Sequence, residues 1–223
     1  MPEKAVMSWS GGKDCCYALH LLNNDNSTRI ELLMTTLTSN FKRISMHGVR
    51  EELLDRQAAS LGLALKKIHL PPFPDNRIYE RRMRAALKDL KDQKFTKVHF
   101  ADLFLQDIKT YRENMMANSG LAADFPIWGR DSVKLARDFI DSGFKAIVTC
   151  IDQRKLDKSF AGRKFDISFL EDLPENIDPC GEYGEFHTFV YAGPSFQNEV
   201  KFNIGKIVLK DQHFYFCDLI PKP

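Results

Sequence analysis

The chain has 223 residues, of which 43% are apolar and 28% charged, with a formal net charge of +2. At roughly 100 to 200 residues per domain, this length holds one large domain or one domain with a small annex, and the composition excludes disordered and collagen-like classes. The near-balanced charge gives no bulk electrostatic hold on long nucleic acid.

The apolar run near the N-terminus stops at Trp9, too short for a signal core or a membrane span, so a cytoplasmic setting without membrane contact is expected. Cys15, Cys16, Cys150, Cys180 and Cys217 are scattered, with no CxxC spacing, and indicate neither a disulfide framework nor a zinc site.

Ala5 to Trp9 reads as a short buried strand, and the glycine pair after it leads into a helical face with Cys16, Leu19 and Leu22. A second strand is expected over Ile30 to Thr36. The stretch from Thr38 to His47 lacks periodicity and reads as a loop, followed by a helix from Arg50 to Leu61 that Gly62 stops. Ala64 to Leu70 resumes as a strand before the extended connection Pro71-Pro72-Phe73-Pro74.

From Arg77 to Lys91, apolar residues at Tyr79, Met83, Ala86, Leu87 and Leu90 recur at helical spacing, while Arg77, Arg81, Arg82, Arg84 and Lys88 form a charged part, read as solvated surface. A fourth strand (Lys97 to Ala101), a helix from Gln106 to Ser119, a helix from Asp131 to Ser142 and a fifth strand from Lys145 to Ile151 complete the alternation. On the first of these helices, Ile108, Tyr111 and Met115 are expected to face the core. The pattern implies βαβ crossovers and a Rossmann-like, mainly parallel α/β sheet with helices on both faces, binding ligands at the C-terminal strand ends.

Beyond Asp152 the texture changes. Pro174 to Glu185 is rich in proline, glycine and acids, and strands follow at Phe186 to Ala192, Lys201 to Lys210 and Phe214 to Ile220, with a hairpin turn at Lys210-Asp211-Gln212. The expected division is a nucleotide-binding α/β domain over 1–152 and a β-rich annex over 153–223.

Ser10-Gly11-Gly12-Lys13-Asp14 stands at the first strand-to-helix junction. Walker A requires four residues between its first glycine and its Gly-Lys pair, and the dinucleotide fingerprint requires GxGxxG; neither spacing is present. What remains is an anion loop. Two residues without Cβ let backbone amides approach a phosphate, the helix N-terminus adds partial positive charge, Ser10 offers a hydroxyl and Lys13 an ammonium. The competing reading is a tight turn followed by an exposed first helical turn.

With Trp9 before it, this stretch resembles the SGGKDS signature of the PP-loop ATP pyrophosphatases, which release AMP and pyrophosphate. Here Cys15 stands where that signature has serine, replacing a good hydroxyl donor by a weaker thiol. Remote from it, Asp178-Pro179-Cys180-Gly181-Glu182-Tyr183-Gly184-Glu185-Phe186-His187-Thr188-Phe189-Val190 resembles the GExGEFHT stretch of the diphthine-ammonia ligase (diphthamide synthase) family. Met46-His47-Gly48-Val49, Ala101-Asp102-Leu103, Pro126-Ile127-Trp128 and Phe160-Ala161-Gly162-Arg163 extend the resemblance over nearly the whole chain.

The resemblance implies that ATP activates a carboxyl as an adenylate and that ammonia, taken from free ammonium, then displaces AMP to give an amide. The implied carboxylate is diphthine on elongation factor 2, and a homodimer stays open. Lys13 and the loop from Ser10 to Cys15 would hold pyrophosphate. Asp14 and Asp102 are the candidate Mg²⁺ partners, with helix capping and a strand end as their respective alternatives. Glu182 and Glu185 would recruit ammonium or order the substrate, with His187 as acid, base or substrate ligand and Thr188 as its hydrogen-bonding companion. Thr36, Met46 and His47 would meet adenine. Arg112 and Glu113 belong either at the substrate or in a surface ion pair, and Trp128 either walls the pocket or packs.

Two rivals carry different tests. A tRNA-modifying PP-loop enzyme would use Cys180 as nucleophile. A nucleotide-binding regulator would bind ATP without turning it over.

Overall fold

The computed structural model describes residues 3–25, 28–39, 43–44 and 47–222. Strand β1 (Glu3–Ser8) passes through the glycine loop into α1 (Lys13–Asn23), and β2 (Thr28–Thr38), β3 (Arg43–Ile44), α2 (Glu51–Ser60), β4 (Ala64–Leu70) and α3 (Asn76–Asp92) follow. Then come β5 (Lys97–His99), α4 (Gln106–Ala117), β6 (Ala122–Asp124) and α5 (Ser132–Asp141). Asp75 and Asp131 cap α3 and α5 by accepting from the amides of Ile78 and Lys134, each at 2.7 Å. Gly62 and Gly143 end α2 and α5 with φ of +68° and +84°, a conformation that strains any residue with a Cβ.

These six strands form one sheet in the order β3-β2-β1-β5-β6, with β4 also paired to β2. All pairings are parallel except the short β2–β3 contact. Alternate residues of β1 enter opposite cores. Ala5 and Met7 join the larger apolar cluster, while Val6 joins the smaller one with Met83, Leu87 and Leu90 of α3. Burial on both faces is what makes such strands read as continuous apolar runs.

The expected fifth strand of this sheet lies elsewhere. β7 (Lys145–Asp152) belongs to a second, four-stranded antiparallel sheet of order β8-β7-β10-β9, with β8 (Phe186–Ala192), β9 (Phe202–Lys210) and β10 (Phe214–Pro221). Every residue of β7 after Lys145 is buried, so periodicity could not separate it from the central parallel strands. A short helix α6 (Ile167–Glu171) precedes β8, and Asp211 and Gln212 turn the β9–β10 hairpin with φ of +49° and +61°.

The larger apolar cluster includes residues of both sheets, among them Met7, Trp9, Leu33, Ile147, Phe186 and Phe189. Each such side chain contributes about 1.5–3 kcal/mol by full burial, so this shared cluster holds the second sheet firmly against the first. On α4 the expected inward face is only partly realised: Met115 packs partly buried against the smaller apolar cluster, but Ile108 and Tyr111 remain 40% and 42% exposed, and Met116 is the residue sealed in the core. The neighbouring strands β5 and β6 have three residues each and offer little surface to cover.

Candidate active site

The reversal of strand order falls at β1, where β2 lies on one side and β5 on the other, the place where open α/β sheets bind ligands beyond their C-terminal strand ends. A cavity of about 400 Å³ opens there. Its walls include Ser10, Gly12, Lys13, Asp14 and Cys15 from the glycine loop and α1, Thr36 from β2, His47, Asp102 after β5, Arg112 from α4, and Glu182, His187 and Thr188 from the second motif. Residues nearly 180 positions apart thus face one space.

Gly12 is the N-cap of α1 and provides no side-chain cap; Thr188 Oγ1 takes the Lys13 amide, and the first-turn amides after it are left for an anion. A Cβ on Gly12 would come within 3.1 Å of the His47 ring and 3.3 Å of both Ser10 Oγ and the Thr188 carbonyl, so the loop is a close-fitting cradle. Asp14 therefore lies in the first turn of α1 and does not cap it. Cys15 Sγ donates to the Gly12 carbonyl at 3.2 Å and lies 3.4 Å from Ser10 Oγ. Gly11, at φ +75°, turns away from the cavity toward Gln57 and Leu54.

Gln57 backs the glycine loop without lining the cavity, and nothing in the sequence reading singled it out. Fully buried on α2, it accepts from Trp9 Nε1 at 2.8 Å and donates to the carbonyls of Gly11 (3.0 Å) and Val190 (2.6 Å). Its signal was available: a polar residue in the apolar stripe Leu53, Leu54, Ala58 requires partners inside. Tyr79 and Thr35 line the cavity and were not expected there.

Lys13 is arranged differently from a free phosphate ligand. Its side chain is 2% exposed, and Nζ lies 2.8 Å from both Asp14 oxygens and donates to the Cys180 carbonyl. Burial disfavours its charge, but the Asp14 carboxylate more than offsets this and holds the ammonium pKa above its ordinary value. Asp102 is likewise engaged, receiving Arg112 Nε and Nη2 at 2.6 and 3.1 Å. Among the described residues, no group of three or more His, Cys, Asp or Glu is arranged to hold a metal ion.

Glu182 accepts from the Leu103 amide at 2.9 Å. Burial, opposed by that bond and assisted by the Asp14 charge, pushes its carboxyl up to about 7. The rings of His47 and His187 lie 4.5 Å apart. His47 Nδ1 is 3.2 Å from the Thr188 carbonyl, which only accepts, so Nδ1 carries the hydrogen and Nε2 is left as an acceptor. Burial lowers the His47 pKa to about 4 and the His187 pKa well below its ordinary value, with the Lys13 charge acting in the same direction. Both imidazoles are neutral near pH 7, and His187 Nε2 is buried without a partner.

Besides Gly11, three expected residues lie off the cavity wall. Glu185 is 2% exposed with an unpartnered Oε2, and it is not part of the cavity wall. Glu113 lies on the α4 surface 3.9 Å from Lys109, and the Trp128 ring packs under Lys109 Nζ at 4.5 Å. Met46 lies outside the described residues. Cys180 is buried, with Sγ donating to the Ser132 carbonyl at 3.4 Å, and burial pushes its thiol pKa well up, the reverse of an activated nucleophile.

The model of the diphthamide synthase N-terminal domain matches residues 3–123, and that of the C-terminal domain matches residues 131–218. A diphthine–ammonia ligase from Schizosaccharomyces pombe is 30% identical over 105 residues, 45% of this chain but 17% of that relative's length. Among solved structures, a protein described as a predicted subunit of tRNA methyltransferase from Methanocaldococcus jannaschii aligns with TM-score 0.41 and 16% identity, over 64% of this chain and 77% of that one. The U34-tRNA thiolase NcsA from Methanococcus maripaludis, with its 4Fe-4S cluster, aligns with TM-score 0.41 and 15% identity, over 62% and 56% of the respective chains. Since the two domain models follow each other along nearly all of the sequence and meet between the glycine-loop half and the acidic-motif half, the chain belongs to the diphthamide synthase family.

Proposed function

We propose that this chain is an ATP-dependent, AMP-forming ligase that turns a carboxylate into an amide with ammonia. The observation that carries the reading is the shared cavity: an anion cradle at the N-terminus of α1 faces a partly buried carboxylate, Glu182, across one space. Membership of the diphthamide synthase family and the relative named diphthine–ammonia ligase support the same chemistry.

In the first step a carboxylate oxygen attacks the α-phosphorus, the bond to the bridging oxygen breaks, and pyrophosphate leaves with the electron pair. Charge gathers on the leaving oxygens, where the first-turn amides of α1 and the Ser10 hydroxyl are the donors at hand. In the second step, ammonia attacks the acyl carbon, AMP leaves, and the nitrogen loses a proton. With its pKa near 7, Glu182 is suited to take the proton that ammonium must lose before it attacks. The neutral His47 offers Nε2 as an acceptor for a nucleotide hydroxyl or amino group, and Thr36 on β2 lines the same cavity.

Asp14 borders the cavity beside the cradle with both oxygens on Lys13 Nζ, so Mg²⁺ there would share that carboxylate with the ammonium and take most of its ligands from phosphate and water. When bound, the ion would neutralise charge on the phosphate oxygens. As the substrate we assign diphthine on elongation factor 2, following the family. The test is pyrophosphate release from ATP with ammonium and a panel of carboxylates that includes the diphthine-bearing factor. Release that requires both ammonium and one carboxylate is expected; ATP binding with no release across the panel would make the protein a nucleotide-binding regulator instead.

A further inference from the structure

The signature lysine sits in an unexpected place for a residue of a phosphate loop. Three protons on Lys13 Nζ meet two Asp14 oxygens and the Cys180 carbonyl, and the rings of Phe165 and Phe186 flank the ammonium at 5.7 and 5.6 Å. Drawing it out toward a phosphate would leave a buried carbonyl without its donor and strip the charge of its aromatic neighbours.

The Cys180 carbonyl belongs to a tightly bonded turn. Gly181 N donates to the Asp178 carbonyl at 2.8 Å, Glu182 N donates to Asp178 Oδ2 at 2.8 Å, and Gly184 N donates to the Gly181 carbonyl at 2.9 Å. Gly181 holds φ at +70°, and a Cβ on it would strike the Phe186 carbonyl at 2.8 Å, so the turn requires glycine here, and its three hydrogen bonds hold its shape. Fixing Cys180 therefore fixes Glu182 two residues later. A second tie runs beside it, from the Lys13 amide to Thr188 Oγ1 at 3.0 Å.

We propose that Lys13 is the positioning residue of the acidic turn 178–184, carrying that turn on the first helical turn of α1, and that it makes no contact with phosphate. Charge on the polyphosphate is met by backbone amides, while Lys13 sets where the Glu182 carboxylate stands. This rests on the ligase reading only for its kinetic readout; the binding and exchange readouts stand without it.

The test is Lys13→Met in the full chain, with ATP affinity measured by calorimetry, hydrogen exchange followed along the backbone, and pyrophosphate release assayed with the active carboxylate. The expected result is an ATP Kd within about threefold of the wild type, faster exchange confined to 178–188, and kcat reduced at least 100-fold. A tenfold or greater loss of ATP affinity would overturn the proposal, as would unchanged exchange in 178–188. A uniformly destabilised variant would instead accelerate exchange throughout, and in that case the wild type decides. Lys13 should resist amine acylation equally with and without ATP, and ATP-dependent protection of a reactive Lys13 would assign it to phosphate. A wild type that binds ATP but releases no pyrophosphate removes the ligase reading and leaves the affinity and exchange results intact.

Discussion

The amide of Lys13 donates to Thr188 Oγ1 at 3.0 Å, joining two residues 175 positions apart. One end is the first residue of α1 and the other lies in β8, so this bond couples the end of the glycine loop to the second sheet.

Thr188→Val keeps the shape and removes the acceptor. Both residues are buried, and an orphaned buried amide costs about 1–3 kcal/mol. Urea denaturation should show a loss of that size, with an unchanged m-value. A loss under about 0.5 kcal/mol would mean that the Lys13 amide finds another partner.

Gln57→Leu tests the hub behind the glycine loop. The substitution strands the Trp9 indole N–H and removes the donor to the Gly11 and Val190 carbonyls. A destabilisation of about 2–4 kcal/mol is expected, from unsatisfied groups in a dry core. Fluorescence of Trp9 should change with it, and ATP binding should weaken because the loop loses its backing.

Cys15→Ser restores a hydroxyl at the loop position where a thiol now donates to Gly12 at 3.2 Å. A hydroxyl is the stronger donor, so ATP affinity should rise by roughly two- to tenfold. An affinity that falls instead would show that the larger sulfur is needed to hold the cradle open.

The pH dependence of stability should carry two opposed contributions. Glu182 has a folded pKa of about 7 against an ordinary 4.5, so the folded state keeps a proton that the unfolded state releases. Its contribution is fully present below 4.5 and is lost as pH rises through 7. His47, at about 4 against 6.5, works the other way, with stability present above 6.5 and lost as pH falls through 4. In Glu182→Gln the amide oxygen can still accept from Leu103, and the opposing Glu182 contribution is gone while those of His47 and His187 remain. Urea midpoints between pH 4.5 and 6.5 should therefore climb more steeply with pH in the variant than in the wild type. Parallel profiles would contradict the raised Glu182 pKa.

What the sequence determined by itself is local or periodic. Apolar runs and helical spacing located β1, α2, α3 and the β9–β10 hairpin, because backbone preference and one buried face suffice to define them. The glycine loop was legible from its residue types and spacing, whereas the acidic motif was legible only through its resemblance to the family's GExGEFHT stretch, since loop acids by themselves read as solvated. Strand partners were not legible. β7 is buried along its whole length and reads like a central parallel strand, yet pairs antiparallel in the second sheet.

Only the tertiary structure decided which polar groups meet. It brought Glu182, His187 and Thr188 to the mouth of α1 and left Glu185, three residues from Glu182, off the cavity wall, since a glycine-bent turn sets each carboxylate's direction. It also gave Lys13 to Asp14 and Cys180. A lysine's type announces a charge, but its partners depend on which chain segments the shared core presses together, and no spacing along the sequence encodes that distance.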